Sequence, residues 1–306
     1  MNPDTRLTQE QLELICSRHN IPYRSHNRID SGFSHEVHRL NDDLVIKLFN
    51  TDSSRHFDAE AAMLASGADF PKPRLIASNN PTEEIDRAYV IMTYVDGTSL
   101  GSKWHLATDL QRENLVKEIS HALRTINQIN PSEIALEAED SWEASVLKGG
   151  KERVARLRNK NIIDEPTAEK AMETLTRSST ALANSKLYSV YWDIHFDNFI
   201  VNDDFELQAF IDLENVELTS LDYPLFVIQK QTDEPEKYLR EEDEKYADKK
   251  DYARLKDWYK QYYPEMFAFD DLDTRLKVYQ LLDTLHLLAD WSHVKGLHTK
   301  LHELIA

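Results

Sequence analysis

The first hundred residues carry their apolar positions in short strand-like runs, and the chain beyond them carries apolar positions at helical spacing. Leu7 to His19 is the exception, with three- and four-residue steps, Thr8 placed as a helix cap and Gln11 able to complete a capping box. Arg28 to Leu40 reads as a strand, a small turn at Ser31 and Gly32, and a second strand. LVIKLF from Leu44 has the pattern of a buried strand, with one cation, Lys47, in its middle. FDAEAAML, which contains Glu60, combines strong helix formers with a single apolar face. Tyr89 to Tyr94 reads as a strand ended by a turn at Asp96 and Gly97. Helical spacing then runs through Leu106 to Ile129, Ser141 to Arg158 and Glu165 to Leu187. Two short strands follow, Phe199 to Val201 and Leu207 to Ile211, joined by a turn at Asn202, Asp203 and Asp204.

A length of 306 residues suits two domains or lobes, and 41% hydrophobic content is that of an ordinary globular chain. The N-terminus lacks the basic and apolar regions of a secretory signal, and no apolar run approaches the roughly 20 residues that span a bilayer. Cys16 is the only cysteine, which excludes an internal disulfide and points to a cytoplasmic protein. The formal net charge of −18 disfavours a nucleic-acid surface. An acidic cleft would instead attract a cationic small molecule, and the same excess also aids solubility. The charged run from Thr232 to Asp251 reads as a mixed-charge helix surface or a mobile segment.

The candidate chemistry lies in YWDIHFDNFIVND from Tyr191, followed by FIDLE with its acid at Asp212. An Asp five residues before an Asn, then a second Asp beyond a short apolar segment, is the order in which phosphoryl-transfer sites arrange a base and two magnesium ligands. Asp193 is the candidate base, and the hairpin would bring the hard oxygen ligands Asn198 and Asp212 to neighbouring strand ends. Lys47 inside a buried strand needs a partner or a ligand, and Glu60, thirteen residues on in a helix, is the candidate partner. Taken singly, these residues also fit a snorkelling lysine, a solvated glutamate and an acidic surface hairpin.

Taken in order, these elements resemble the aminoglycoside phosphotransferase and choline kinase superfamily, from about Arg28 to Leu225 and most strongly from Asp193 to Asp212. Gly32, Ser34, Val37, Arg39 and Leu40 follow the family's phosphate-loop pattern, with His35 in place of its usual Asn. Asp193, His195 and Asn198 match the family's catalytic run. Tyr191 and Trp192 stand where His and Gly are usual, which bears on the loop because tryptophan lacks glycine's backbone latitude.

The resemblance implies a two-lobed, protein-kinase-like α+β fold. Residues 1–96 would form an antiparallel sheet lobe that binds nucleotide, with a hinge at about 93–97. Residues 97–306 would form a mainly helical lobe with the catalytic loop and acceptor site. It also implies transfer of the γ-phosphoryl group of ATP or GTP, with Mg2+, to a hydroxyl of a small molecule. An aminoglycoside antibiotic is the first choice; choline, an amino alcohol, a sugar or a macrolide is the alternative, as is an inactive nucleotide-binding pseudokinase. No A-P-E-like stretch follows Asp212, which argues against a protein kinase. In this scheme Ser31, Gly32, Phe33 and Ser34 cover the nucleotide, Lys47 and Glu60 clamp its phosphates, and Met92, Thr93 and Val95 meet the base. His195, Glu214 and Glu217 are candidates to face the acceptor, with His195 more simply a histidine bridging loop groups. Asp222 is expected to be structural, and the aromatics of WYKQYYPEMF from Trp258 to be core. His286 and His293, seven residues apart, are expected to share a helix face without forming a zinc site.

Overall fold

The computed structural model describes residues 7–29, 35–50, 54–134, 136 and 140–306. Helix α1 (Gln9–Arg18) begins as its cap predicts: the Thr8 hydroxyl accepts from the Gln11 N–H while the Gln11 side chain accepts from the Thr8 N–H. Strands β1 (His26–Ile29), β2 (Glu36–Leu40) and β3 (Leu44–Leu48) follow, then helix α2 (Ser54–Ala65), β4 (Leu75–Asn79) and β5 (Tyr89–Thr93). The five strands form one antiparallel sheet in the order β1-β2-β3-β5-β4. The four-residue segment Ser31 to Ser34 lies outside the described residues.

Every residue of β3 is buried because the sheet is covered on both faces. Leu44, Ile46 and Leu48 pack with Leu12, Ile15 and Cys16 of α1 in a small core. Val45 and Phe49 turn the other way, into the main core with Phe57 and Met63 of α2. The two-residue period of a strand therefore points Lys47 away from α1 and toward α2.

Glu36, on β2 and 1% exposed, accepts from Arg87 at 2.5 Å, from the Leu7 N–H at 3.1 Å and lies 2.8 Å from His38 Nε2. Burial works against its charge, but His38, Arg87 and the Leu7 amide outweigh it and hold its pKa down at about 2. A folded-state pKa below the ordinary 4.5 contributes stability that is present above that value and lost as pH falls toward 2. Glu36→Gln should therefore lower stability at neutral pH and flatten its decline between these two pH values. Chemical denaturation across that range measures both, and an unchanged acid limb would refute the assignment.

Gly97, at φ +142°, makes the anticipated turn after β5; a Cβ there would lie 2.6 Å from the Val201 carbonyl oxygen. Next come β6 (Thr98–Ser99), α3 (Leu100–Lys103), α4 (Asp109–Asn127), α5 (Trp142–Asn159) and α6 (Glu165–Ser178). Two helices differ from their predicted spans. Thr108 and Gln111 form a capping box that starts α4 at Asp109 rather than Leu106. The third ends at Ser178 and tightens into a 3-10 turn to Leu182, so Leu187 is not helical. Strand β7 (Tyr188–Tyr191) leads into the segment that carries Asp193, followed by β8 (Phe199–Val201), β9 (Leu207–Phe210) and β10 (Val216–Thr219). β8 and β9 form the expected hairpin, and β10 pairs with β7.

Helices α7 (Leu225–Asp233), α8 (Lys249–Tyr252), α9 (Leu255–Tyr262), α10 (Leu272–Asp290) and α11 (Lys295–Leu304) complete the chain. Trp258, Tyr259, Tyr263 and Met266 are buried core, as expected of that aromatic run. His286 belongs to α10 but His293 lies beyond its end, so the two do not share a helix face. Asp222 is buried and ion-paired to Arg275 at 2.6 Å. No helix among the described residues is long and apolar enough to cross a membrane.

Candidate functional site

Lys47, 2% exposed, is ringed by three carboxylates: Glu60 at 2.6 Å, Asp212 at 2.7 Å and Glu214 at 3.0 Å. They arrive from α2, from the end of β9 and from the 3-10 turn Leu213–Asn215. Burial alone would discharge the lysine, but Asp212, Glu60 and Glu214 outweigh it and raise its pKa. Three acids around one cation leave excess negative charge. Burial, with Asp212 and Glu214 adding to it, pushes Glu60 up against the pull of Lys47. Burial opposes the charge on Glu214 as well, yet His35 and Lys47 hold it down at about 2.

Asp212 sits in the left-handed region at φ 53°, a conformation uncommon for a residue with a Cβ, where the chain leaves β9 for the 3-10 turn. Its neighbour across the hairpin is Asn198, whose carbonyl accepts from the Ile211 N–H at 2.9 Å. The Asn198 amide nitrogen donates to the Asp193 carbonyl at 2.9 Å and to Asp193 Oδ2 at 3.2 Å. With the nitrogen so committed, the Asn198 side-chain oxygen remains as an acceptor. A carboxylate and an amide oxygen on adjacent strand ends form a hard donor set suited to Mg2+.

Asp193 Oδ2 also accepts from Asn215 Nδ2 at 3.0 Å, while Oδ1 lies 3.5 Å from His195 Nε2. Two amides thus hold one carboxylate oxygen and leave the other beside the histidine. Burial works against a charged His195, but Asp193, with Asp197 and Asp212 behind it, raises its pKa. Nothing in the motif pointed to Asn215; its signal is its position three residues after Asp212.

One cavity of about 500 Å³ is lined by Lys47, Met92, Thr93, Val95, Asp193, His195, Asn198, Asp212 and Glu214. The Thr93 N–H is taken by the Arg74 carbonyl at 3.0 Å and the Tyr94 N–H by the Asp43 carbonyl at 2.7 Å, so neither is free for a base. Arg240 lines the same cavity and lies 3.7 Å from Asp197. It comes from the charged run that reads in sequence as a mixed-charge helix surface or a mobile segment.

The two acids expected to face the acceptor line different cavities. Glu214 is buried against Lys47 and His35 instead of presenting itself to substrate amines. Glu217 is 3.8 Å from Arg55 and lines a separate cleft of about 710 Å³ between α2, α5 and β10. The two acids are split because the chain passes from the 3-10 turn that carries Glu214 into β10, which carries Glu217. Arg55, Lys148 and Arg153 share this cleft with Asp58, Asp140, Glu152 and Glu217, so its lining is mixed in charge rather than acidic.

The two unusual residues before Asp193 are accommodated without distortion. Position 192 has no positive φ, so a tryptophan fits where glycine's latitude is not used. Tyr191 is fully buried, and its hydroxyl donates to the Ile211 carbonyl at 2.9 Å, tying the strand before Asp193 to the residue before Asp212. Burial, with Asp193 and Asp212 nearby, raises its pKa well above 10, so it stays a neutral donor. Tyr191→Phe forfeits a hydrogen bond worth roughly 1 kcal/mol and leaves a buried carbonyl unpaired. We expect kcat to fall roughly fivefold to tenfold with stability lowered only slightly; steady-state kinetics beside thermal melts check this, and an unchanged kcat would refute a positioning role.

The model of the phosphotransferase enzyme family matches residues 25–258. No curated protein sequence matches the chain. Among solved structures it resembles the streptomycin–ATP–APH(2")-IIa ternary complex, with a TM-score of 0.70, 15% identity, and 98% of this chain and 99% of that one covered. The GDP and kanamycin complex of APH(2")-IIIa aligns with a TM-score of 0.69 at 13% identity, covering 97% of each chain. A ternary complex of APH(4)-Ia with ADP and hygromycin B aligns at 0.63 and 12% identity, covering 96% of this chain and 97% of that one. These likenesses establish a kinase-like fold with an N-terminal antiparallel sheet and a helical C-terminal region.

Proposed function

The chain belongs to the phosphotransferase enzyme family, and we propose that this nucleotide-dependent phosphotransferase moves the γ-phosphoryl group of ATP or GTP to a hydroxyl of a small molecule in the cytoplasm. The carrying observation is that Lys47, held by Glu60 and Asp212, lines one cavity with Asp193 and Asn198. Residues 1–96 hold the nucleotide, with 93–97 as hinge, and residues 97–306 supply the reacting groups and the acceptor site. Met92 contacts the base through its side chain, and Thr93 and the backbone of Val95 lie at its edge. Lys47 holds the phosphates, with Glu60 fixing the ammonium.

Asp193 accepts the proton of the acceptor hydroxyl on the carboxylate oxygen beside His195. The hydroxyl oxygen forms its bond to the γ-phosphorus as the bond to the β–γ bridging oxygen breaks, and the nucleoside diphosphate leaves with that electron pair. Asn198 and Asp212 would hold Mg2+, which when bound neutralises charge on the phosphates. Asn198 and Asn215 keep Asp193 in place, and Arg240 adds a cation to the same cavity that can offset charge on the transferred group.

Aminoglycosides are the first acceptors to assay, because the solved neighbours bind them and the net charge of −18 favours cations. The mixed lining of the second cleft keeps choline, amino alcohols, sugars and macrolides in the panel. Nucleoside diphosphate release should depend on both Mg2+ and one of these acceptors. Transfer to none of the aminoglycosides would remove that class, and binding of nucleotide with no transfer to any member would favour a pseudokinase.

A further inference from the structure

His35, His56 and Glu214 form a cluster for which the proposed phosphoryl transfer has no use as a set. They come from three separate parts of the chain: the residue before β2, the first turn of α2 and the 3-10 turn after Asp212. One ligand atom from each lies within 4.8 Å of the others. His35 is 6% exposed and Glu214 8%, and both are far less exposed than His56.

The contacts inside the cluster are unusual for a buried polar group. His35 Nε2 stands 2.8 Å from Glu214 Oε2, which is also 3.0 Å from the Lys47 ammonium, while the buried His35 Nδ1 has no hydrogen-bond partner. Leaving a buried imidazole nitrogen without a hydrogen bond is unfavourable, and native proteins rarely tolerate it. With the His56 imidazole within reach of the same carboxylate, two imidazoles and a carboxylate form a donor set that one divalent ion can share. The Phe49 ring, 4.7 Å from the His35 ring, holds the imidazole in this orientation. The exposed His56 gives the ion a path from solvent.

We propose that His35, His56 and Glu214 bind a borderline divalent transition metal, with zinc the best match. Two imidazoles and one carboxylate suit Zn2+ and not Mg2+, which prefers oxygen donors alone. Three protein ligands leave a fourth position for water. Asp193 is not a ligand, and the site stands whether or not the chain transfers phosphate. Its ligands link β2, α2 and the turn beside Lys47, so occupancy ties these three elements together.

The test uses the full chain stripped of metal and titrated with Zn2+ by calorimetry, with Co2+ as a spectroscopic substitute. We expect one equivalent bound, a rise in Tm as the folded state is selectively stabilised, and the strong visible absorption of tetrahedral Co2+. His56→Ala touches none of the groups assigned to phosphoryl transfer, so Mg2+-dependent turnover should persist. Losing even an outer partner of a ligand weakens metal sites about 10- to 100-fold, so losing this ligand should weaken zinc binding by at least about 100-fold. His35→Gln should weaken it similarly. Equal zinc affinity and equal Co2+ spectra in the wild type and in His56→Ala would overturn the proposal and assign the ion to other surface histidines. Loss of turnover in Asp193→Ala with zinc binding intact would separate this site from the transfer reaction.

Discussion

Asp193→Ala should lower kcat by roughly 10²–10⁴-fold, the usual contribution of a positioned general base. Nucleotide binding should persist, because Asp193 contacts Asn198, Asn215 and His195 but is not among the partners of Lys47. Asp193→Asn is the sharper version. It keeps the shape of the side chain while removing both the charge and the ability to take a proton, and it should be about as inactive as the alanine. Steady-state turnover with calorimetric nucleotide titration decides the matter. A loss smaller than about tenfold in both variants would mean that Asp193 is not the base.

The largest effect on stability should come from Arg275→Ala. The Arg275 guanidinium is 3% exposed and donates to Asp222 Oδ2 at 2.6 Å and Oδ1 at 2.8 Å, to the Ala181 carbonyl and to Ser220. Asp222 is 0% exposed and also accepts from the Tyr279 hydroxyl at 3.0 Å. Removing the cation leaves a buried carboxylate with no countercharge, which typically destabilises by about 3–5 kcal/mol. In a protein of this size that corresponds to a drop in Tm of roughly 5–8 °C. Replacing both residues together, as Asp222→Leu with Arg275→Met, should recover much of the loss, since desolvation offsets most of what a buried pair contributes. Thermal melts of the single and double variants measure the difference. A single variant that melts within about 2 °C of the wild type would show that the pair is not needed.

Asp222 joins the turn after β10 to α10, and the same network reaches α5 through Tyr279, whose hydroxyl accepts from Trp142 Nε1 at 3.0 Å. Trp142 and Tyr223 line the mixed-charge cleft. Partial unfolding of Arg275→Ala should therefore loosen that cleft before it reaches the Lys47 cluster, which is packed from α2 and β3.

Local chemistry along the chain was enough to determine several of the elements. The capping box at Thr8, the all-apolar run of β3 around Lys47 and the turn between β8 and β9 depend on neighbours within a few residues, and each is present as read. The order Lys47, Glu60, Asp193, Asn198, Asp212 was likewise legible, because phosphoryl transfer needs these residue types in that sequence order. Long-range packing decided the rest. Whether Glu214 faced solvent or Lys47 depended on how the 3-10 turn after Asp212 lies against α2. Whether Arg240 was a solvated surface charge or a wall of the Asp193 cavity depended on where a poorly periodic segment folds back. Tyr191 became a donor to Ile211 only because β7 and the hairpin lie side by side, and His35 met His56 only because β2 and the start of α2 converge. A periodic pattern reports which face of an element is buried, but not which other element supplies the partner.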